Sequence, residues 1–226
     1  MFIMMPIRGG PLKGKRWIAA SGIRFLRGEY EPAQTEAILE ALRPGYVVYD
    51  IGAHHGYYTL LAAEVVGADG LVAAFEPRPV NLSYLHKHLR INGCANVEVF
   101  NVCVSDRSGT CRLDTRYGTG RGRISPDGEL VVEMVCLDDL IRNGRLPPPN
   151  LVKIDVEGAE KLVLAGARET ISRYLPIVVI STHGEKLHEQ CTEALAAQGY
   201  RLRTLNAGEI FAEPEWCIPD SPCTLP

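Results

Sequence analysis

From Pro44 onward, short and almost unbroken apolar runs alternate with stretches of helical periodicity, and no other feature restricts the fold so strongly. "YVVYDI" (46–51), "GLVAAFEP" (70–77), "NVEVFNVCVS" (96–105), "NLVKIDV" (150–156) and "PIVVIST" (176–182) read as five strands. Between them, "GYYTLLAAEVVG", "RPVNLSYLHKHLRIN" (78–92), "AEKLVLAGARETISRYL" and "EKLHEQCTEALAAQ" read as helices, the second with apolar positions at Val80, Leu82, Leu85 and Leu89. "YRLRTL" and "EIFA" follow as further strand-like runs. Strands apolar on both faces, joined by helices of this length, predict a doubly wound, Rossmann-like, mostly parallel α/β sheet. The stretch "SDRSGTCRLDTRYGTGRGRISPDGELVVEMVCLDDLI" interrupts the pattern between strands three and four and reads as an inserted hairpin or short strands, closed by "PPP" at 147–149.

The 226 residues fit one domain: a leading extension (1–43) packing on it, a core (44–212) and a trailing tail (213–226). No apolar run reaches the ~20 residues of a membrane span. The start has no cationic lead before an apolar stretch, so no signal peptide is expected and the expected location is cytoplasmic. Seven scattered cysteines without a CxxC pair read as reduced thiols rather than disulfides or zinc ligands. The formal charge of −3 argues against a nucleic-acid partner. The cations ahead of Glu29 (Arg8, Lys13, Lys15, Arg16, Arg24 and Arg27) read as a solvated face before they read as a docking surface. Nothing sets the oligomeric state, and a homo-oligomer is compatible with the sequence.

In doubly wound sheets ligands sit at the carboxyl ends of the strands. The loop after the first strand, "DIGAHHG", is D-x-G-x-x-x-G and lacks the third glycine of a pyrophosphate loop. A carboxylate at Asp50 repels phosphate but suits a ligand carrying an ammonium and a sulfonium. Glu76, ending the second strand, can accept both hydroxyls of a ribose. The bland alternative makes both acids helix caps. In "NLVKIDVEGAE" a buried Lys153 demands a partner, and alternation puts it on the face of Asp155. Asp155 and Glu157 leave the strand tip, and "STHGE" sets His183 and Glu185 on the same rim. His183 is the candidate proton acceptor, with Asp155 and Glu157 orienting the acceptor and Lys153 holding Asp155. His54 and His55 read as packing groups. A zinc site from His54, His55, His183 and Asp155 is the lesser reading, because no ligand pair has helical or knuckle spacing, and no metal is expected.

"YVVYDIGAHHGYYTLLAA", "FEPRPVNLSYLHKHLRIN", "NVEVFNVCVSD", "LDDLI" and above all "LVKIDVEGAEKLVLAGA" resemble the FkbM type of class I S-adenosylmethionine-dependent methyltransferases. The resemblance spans roughly Gly28 to His183. It implies S-adenosyl-L-methionine as cofactor, with contacts from Asp50, Gly52, Gly56 and Glu76, an adenine contact near Asn101–Cys103, and Asp155 close to the methionyl group. "GEYEP" (28–32) resembles the family's lead-in and would bring Glu31 over the cofactor. The resemblance also implies O-methylation of a sugar, natural product or other small molecule without a metal ion, whereas the residues themselves leave open a divalent ion held by Asp155, His183 and Glu185 at the strand tips. The family loop more often reads Gly-Ala-Asn before a hydrophobic residue, where this chain has His54–His55, and the Arg/Gly-rich loop 116–123 has no fixed family counterpart. The tip "DVEG" lacks the N/D-P-P-Y/F of base N-methylation. An NAD(P)-dependent oxidoreductase and a non-catalytic nucleoside-binding module are the alternatives.

Overall fold

The computed structural model describes residues 3–116 and 122–215. Tyr117–Arg121 of the Arg/Gly-rich loop and residues 216–226 of the tail, with Cys217 and Cys223, lie outside the described residues. A hairpin of β1 (Met4–Pro6) and β2 (Arg16–Ile18) leads into α1 (Ile23–Arg27) and α2 (Pro32–Ala41). The alternating segment then folds as β3 (Val47–Ile51), α3 (Tyr57–Val66), β4 (Leu71–Phe75), α4 (Pro79–Asn92) and β5 (Val97–Phe100). An insertion of β6 (Cys103–Val104), β7 (Gly109–Asp114), β8 (Arg123–Ile124), β9 (Leu130–Val135) and α5 (Leu137–Arg142) follows. The chain returns through β10 (Leu151–Ile154), α6 (Glu160–Gly166), α7 (Arg168–Tyr174), β11 (Ile177–Ser181) and α8 (Glu185–Ala196). It ends in the antiparallel pair β12 (Tyr200–Asn206) and β13 (Glu209–Pro214).

The main sheet runs β12-β13-β11-β10-β3-β4-β5, parallel from β11 through β5, with β13 antiparallel to β11. β3 and β10 are adjacent in space but joined through the edge strand and the insertion, so the chain switches direction between them. Strand alternation divides the core in two. Val48, Val72, Leu151 and Val179 face a cluster with α3 and the leading segment. Tyr49, Ile51, Phe75, Val152, Ile154 and Ile180 face the other, with α6 and α8. Ile7, Leu12 and Trp17 belong to the first cluster, so the leading residues share a core with Val48 and Leu60. No helix among the described residues is long and apolar enough to cross a membrane. The five described cysteines are free thiols.

Three elements differ from the sequence expectation. The third strand is two: β5 ends at Phe100, Asn101 is exposed, and β6 pairs with β9 in a second sheet. That insertion is a four-stranded sheet, β6-β9-β7-β8, rather than a lone hairpin. The helix expected over 159–175 breaks at Ala167 (φ −115°), where Gly166 packs so closely on Ser105 that a Cβ would stand 2.0 Å from its carbonyl oxygen. Val80, expected in the core, is 44% exposed at the first turn of α4, while Leu82, Leu85 and Leu89 are buried.

Three histidines are held neutral inside the fold. His88 stacks on Trp17 at 3.6 Å; its Nε2 accepts from the Ile18 N–H at 3.0 Å and its Nδ1 meets the His55 carbonyl at 2.7 Å. Burial pulls His88 and His55 down to about 4 and His54 to about 3. The unfolded chain therefore binds these protons first, near pH 6.5. Their contribution is complete above that pH and is lost as pH falls toward 4, at up to about 1.4 kcal/mol per pH unit for each histidine. Urea unfolding between pH 7.5 and 5 should show this slope, and His88→Gln should flatten it by one proton.

Candidate active site

The carboxyl ends of β3, β4, β10 and β11 open into one cavity of about 420 Å³. Its floor is set by the register. Lys153 on β10 stands opposite Asp50 on β3, both on the same sheet face and both buried. Lys153 Nζ lies 3.3 Å from Asp50 Oδ1 and 3.9 Å from Asp155 Oδ2, donates to the Gly52 carbonyl at 3.1 Å, and sits over the Tyr58 ring. Burial works against its charge, but Asp50, Asp155 and Glu31 together raise its pKa. The other oxygen of Asp50 accepts from Thr59 Oγ1 at 2.6 Å. Asp50 is therefore turned beneath the cavity, not into it, which corrects its expected direct contact. Its role is to lock β3, β10 and α3 together.

The start of the loop above it is bonded to the end of β4. Gly52 and Ala53 donate their N–H groups to the Phe75 carbonyl, both at 3.0 Å, and His54 donates to Glu76 Oε2 at 2.8 Å. No N–H of residues 52–54 is left for a phosphate. Gly52 lines the cavity at φ 81°, where a Cβ would stand 1.8 Å from the Asp155 carbonyl oxygen. Gly56 does not line it. Its φ of 89° starts α3, and a Cβ there would meet Leu85 Cδ1 at 2.4 Å, so this glycine serves helix packing.

Glu76 is buried at the tip of β4. Oε1 accepts from the Arg78 N–H (2.9 Å) and from Asn81 Nδ2 (3.1 Å), and Oε2 accepts from His54. Burial raises its pKa against these donors. A carboxylate has about four lone-pair positions, so one remains for a ligand hydroxyl. Cys103 lines the cavity, whereas Asn101 is exposed and does not, which corrects the expected contact at that position. The insertion closes this side through Leu113, Gly122 and Ile124, and Arg78 donates to the Thr115 carbonyl.

The leading segment supplies the opposite wall. Glu31, in the left-handed region at φ 39°, accepts from Tyr58 Oη at 2.8 Å, and burial raises its pKa. Phe25, Tyr30, Tyr57 and Tyr58 line the cavity beside it, with Tyr30 centred 4.3 Å from Phe25 and 5.1 Å from Tyr57. Aromatic faces attract a cation. Sequence reasoning missed this wall: Tyr57 and Tyr58 read only as part of the helix after the first strand, and Phe25 and Tyr30 precede the alternating pattern.

The last side is acidic. Asp155, Glu157 and His183 come together from β10 and β11, with His183 Nε2 3.7 Å from Asp155 Oδ1 and 3.4 Å from Glu157 Oε2. His183 Nδ1 lies 2.7 Å from Oε1 of Glu160, a fully buried carboxylate that also accepts from the Gly158 N–H. That bond leads in raising the His183 pKa, burial opposes it, and Glu157 and Asp155 add to it; Glu160 is lowered in turn despite its burial. Glu185, expected on the rim, is exposed at the start of α8. No spacing in the sequence pairs Glu160 with His183, 23 positions away. One ligand atom from each of Asp155, Glu157 and His183 lies within 4.8 Å of the others, a grouping that ligand spacing along the chain does not disclose.

A sheet with this strand order, an acid at the tip of β4 and an acidic tip on β10 define a methyltransferase of the class I fold. The chain belongs to the FkbM family: the Methyltransferase FkbM domain matches residues 50–202. It is 27% identical over 194 residues to the hexuronic acid methyltransferase AglP of Haloferax volcanii, covering 84% of this chain and 77% of that protein. It is 28% identical over 177 residues to the 31-O-demethyl-FK506 methyltransferase FkbM of Streptomyces tacrolimicus, covering 63% of this chain and 67% of that one. Among solved structures, the methyltransferase FkbM of Methylobacillus flagellatus KT superposes with a TM-score of 0.57 at 22% identity, over 79% of this chain. The chain spans half the length of that structure.

Glu76→Ala should leave the His54 and Arg78 N–H groups unpaired and remove the hydroxyl acceptor. Cofactor affinity should fall by about 1.5–3 kcal/mol, read by calorimetry with S-adenosylhomocysteine. An unchanged dissociation constant would mean that the ribose is held elsewhere.

Proposed function

We propose that the protein transfers the methyl group of S-adenosyl-L-methionine to a hydroxyl of a sugar or other small natural product. The observation that carries this reading is the pairing, across one cavity, of a hydroxyl-accepting Glu76 with a cation-favouring end made by Asp155, Glu31 and the Tyr30 and Tyr58 rings. The ribose sits at Glu76 and the adenine beside Cys103, against Leu113 and Ile124 of the insertion. The methionyl ammonium faces Asp155 over Gly52. A nicotinamide dinucleotide fits less well, because the N–H groups of Gly52, Ala53 and His54 are already bonded to Phe75 and Glu76 and are not offered to a pyrophosphate. A binding module without turnover would not need the Asp155–Glu157–His183 rim. The relatives named for hexuronic acid and for 31-O-demethyl-FK506 support an acceptor of this class.

The acceptor oxygen donates a lone pair to the methyl carbon as the carbon–sulfur bond breaks in line and its electrons return to sulfur. The product is a methyl ether and S-adenosylhomocysteine, and the hydroxyl proton leaves at the rim. His183 is the nitrogen base of that rim, oriented by Glu160. Glu157 and Asp155 orient the acceptor and the ammonium, and Lys153 holds Asp155. Placement of the two reactants and removal of the proton are what the protein contributes.

Transfer of labelled methyl to a uronic-acid or polyol acceptor tests the reading. His183→Ala should retain S-adenosylhomocysteine affinity and lower kcat by about 10²–10⁴. A raised acceptor KM with kcat nearly intact would reduce His183 to a packing group.

A further inference from the structure

We propose that Asp155, Glu157 and His183 bind a divalent cation of the Mn²⁺ class, whose open positions take the acceptor's hydroxyl oxygens. The inference rests on the methyltransferase reading only for what fills those open positions. It departs from the sequence expectation of a metal-free site, and it rests on geometry.

Three acceptor atoms converge on one point of the cavity wall, with ligand atoms within 4.8 Å of one another. A hydrogen bond from a charged imidazole to a carboxylate closes to about 2.7–2.9 Å. The Nδ1–Glu160 contact, at 2.7 Å, has that length. The two Nε2 contacts do not: at 3.4 Å to Glu157 and 3.7 Å to Asp155 they are too long. Neighbouring ligands in a tetrahedral or octahedral shell with bonds of about 2.0–2.2 Å stand roughly 3–3.5 Å apart. The gaps at Nε2 are thus too wide for a proton and close to right for a shared cation.

The surroundings are those of a metal ligand set. Asp155 divides its oxygens, with Oδ2 toward Lys153 and Oδ1 toward His183. Glu160 is outside the three ligands and fully buried, and its bond to Nδ1 sets the tautomer that turns an Nε2 lone pair toward the carboxylates. A ligating histidine that gives its other N–H to a carboxylate is the usual outer arrangement of a metal site. Glu157 is held at φ 57°, left-handed backbone that a non-glycine residue adopts at a cost, and this places its carboxylate beside His183. One imidazole and two carboxylates suit Mn²⁺ and leave positions open to the cavity. With a cation bound, His183 would be a ligand and no longer the base, and the cation would polarise the acceptor hydroxyl as a Lewis acid.

The test uses the full chain stripped with EDTA, titrated with MnCl₂ and followed by loss of the free Mn²⁺ paramagnetic resonance signal, with S-adenosylhomocysteine bound and absent. A single saturable site is expected. Glu157→Gln and His183→Ala should abolish it, Glu160→Gln should weaken it by about 10–100-fold, and Glu185→Gln should leave it unchanged. Thermal stabilisation by S-adenosylhomocysteine, measured on the same samples, reports folding and cofactor binding independently of the metal. No saturable Mn²⁺ binding by a wild-type protein that this ligand stabilises would overturn the cation site and leave the methyltransferase reading standing. Binding that is equal in wild type, Glu157→Gln and His183→Ala would also overturn it. Mn²⁺ binding without any response to S-adenosylhomocysteine would count against the methyltransferase reading alone.

Discussion

The architecture of the site depends on a buried ammonium. Lys153 lies in the centre of a parallel sheet, where an uncompensated charge would cost several kcal/mol. Its neighbours are fixed by strand register, because Asp50 is its direct partner on β3 and Asp155 is two residues further along the same face of β10. The lysine also donates to the Gly52 carbonyl. One side chain therefore ties together the tip of β10, the first glycine of the β3 loop and the aspartate that anchors α3 through Thr59. Remove the lysine, and the buried carboxylate of Asp50 loses its counter-charge.

That arrangement divides the labour among the acids. Asp50, paired on both oxygens, holds the scaffold. Glu76 spends three hydrogen bonds on fixing the backbone of His54 and Arg78 and keeps room for a hydroxyl. Glu31 and Asp155 face the cavity and give it the negative potential that a sulfonium and an ammonium favour. Glu160 never meets the cavity's contents directly and acts through His183. Similar residue types thus carry different functions according to what they touch.

Much of this was legible in the sequence. Continuous Val/Ile/Leu strands gave away the parallel sheet, because a strand covered on both faces has no polar side to show. A lysine inside such a strand announced its own ion pair. What stayed hidden depended on contacts between distant segments. The exposure of Asn101 follows from the chain leaving the edge strand for a second sheet, which no local pattern encodes. Gly56 looked like a cofactor glycine, and only its approach to Leu85 reveals a packing role. The aromatic wall joins Tyr57 and Tyr58 of α3 to Phe25 and Tyr30 of the leading segment, which only the folded chain brings together. Glu160 and His183 are 23 positions apart, and their bond follows from the adjacency of β10 and β11.

The central claim is that the committed N–H groups of residues 52–54, together with Glu76 and Asp155, select S-adenosylmethionine over a phosphate-bearing cofactor. Isothermal calorimetry with S-adenosylhomocysteine and NADP, side by side on the unmodified protein, tests this most directly. The account predicts saturable binding of S-adenosylhomocysteine and no detectable heat from NADP. Saturable binding of NADP with none of S-adenosylhomocysteine would contradict it.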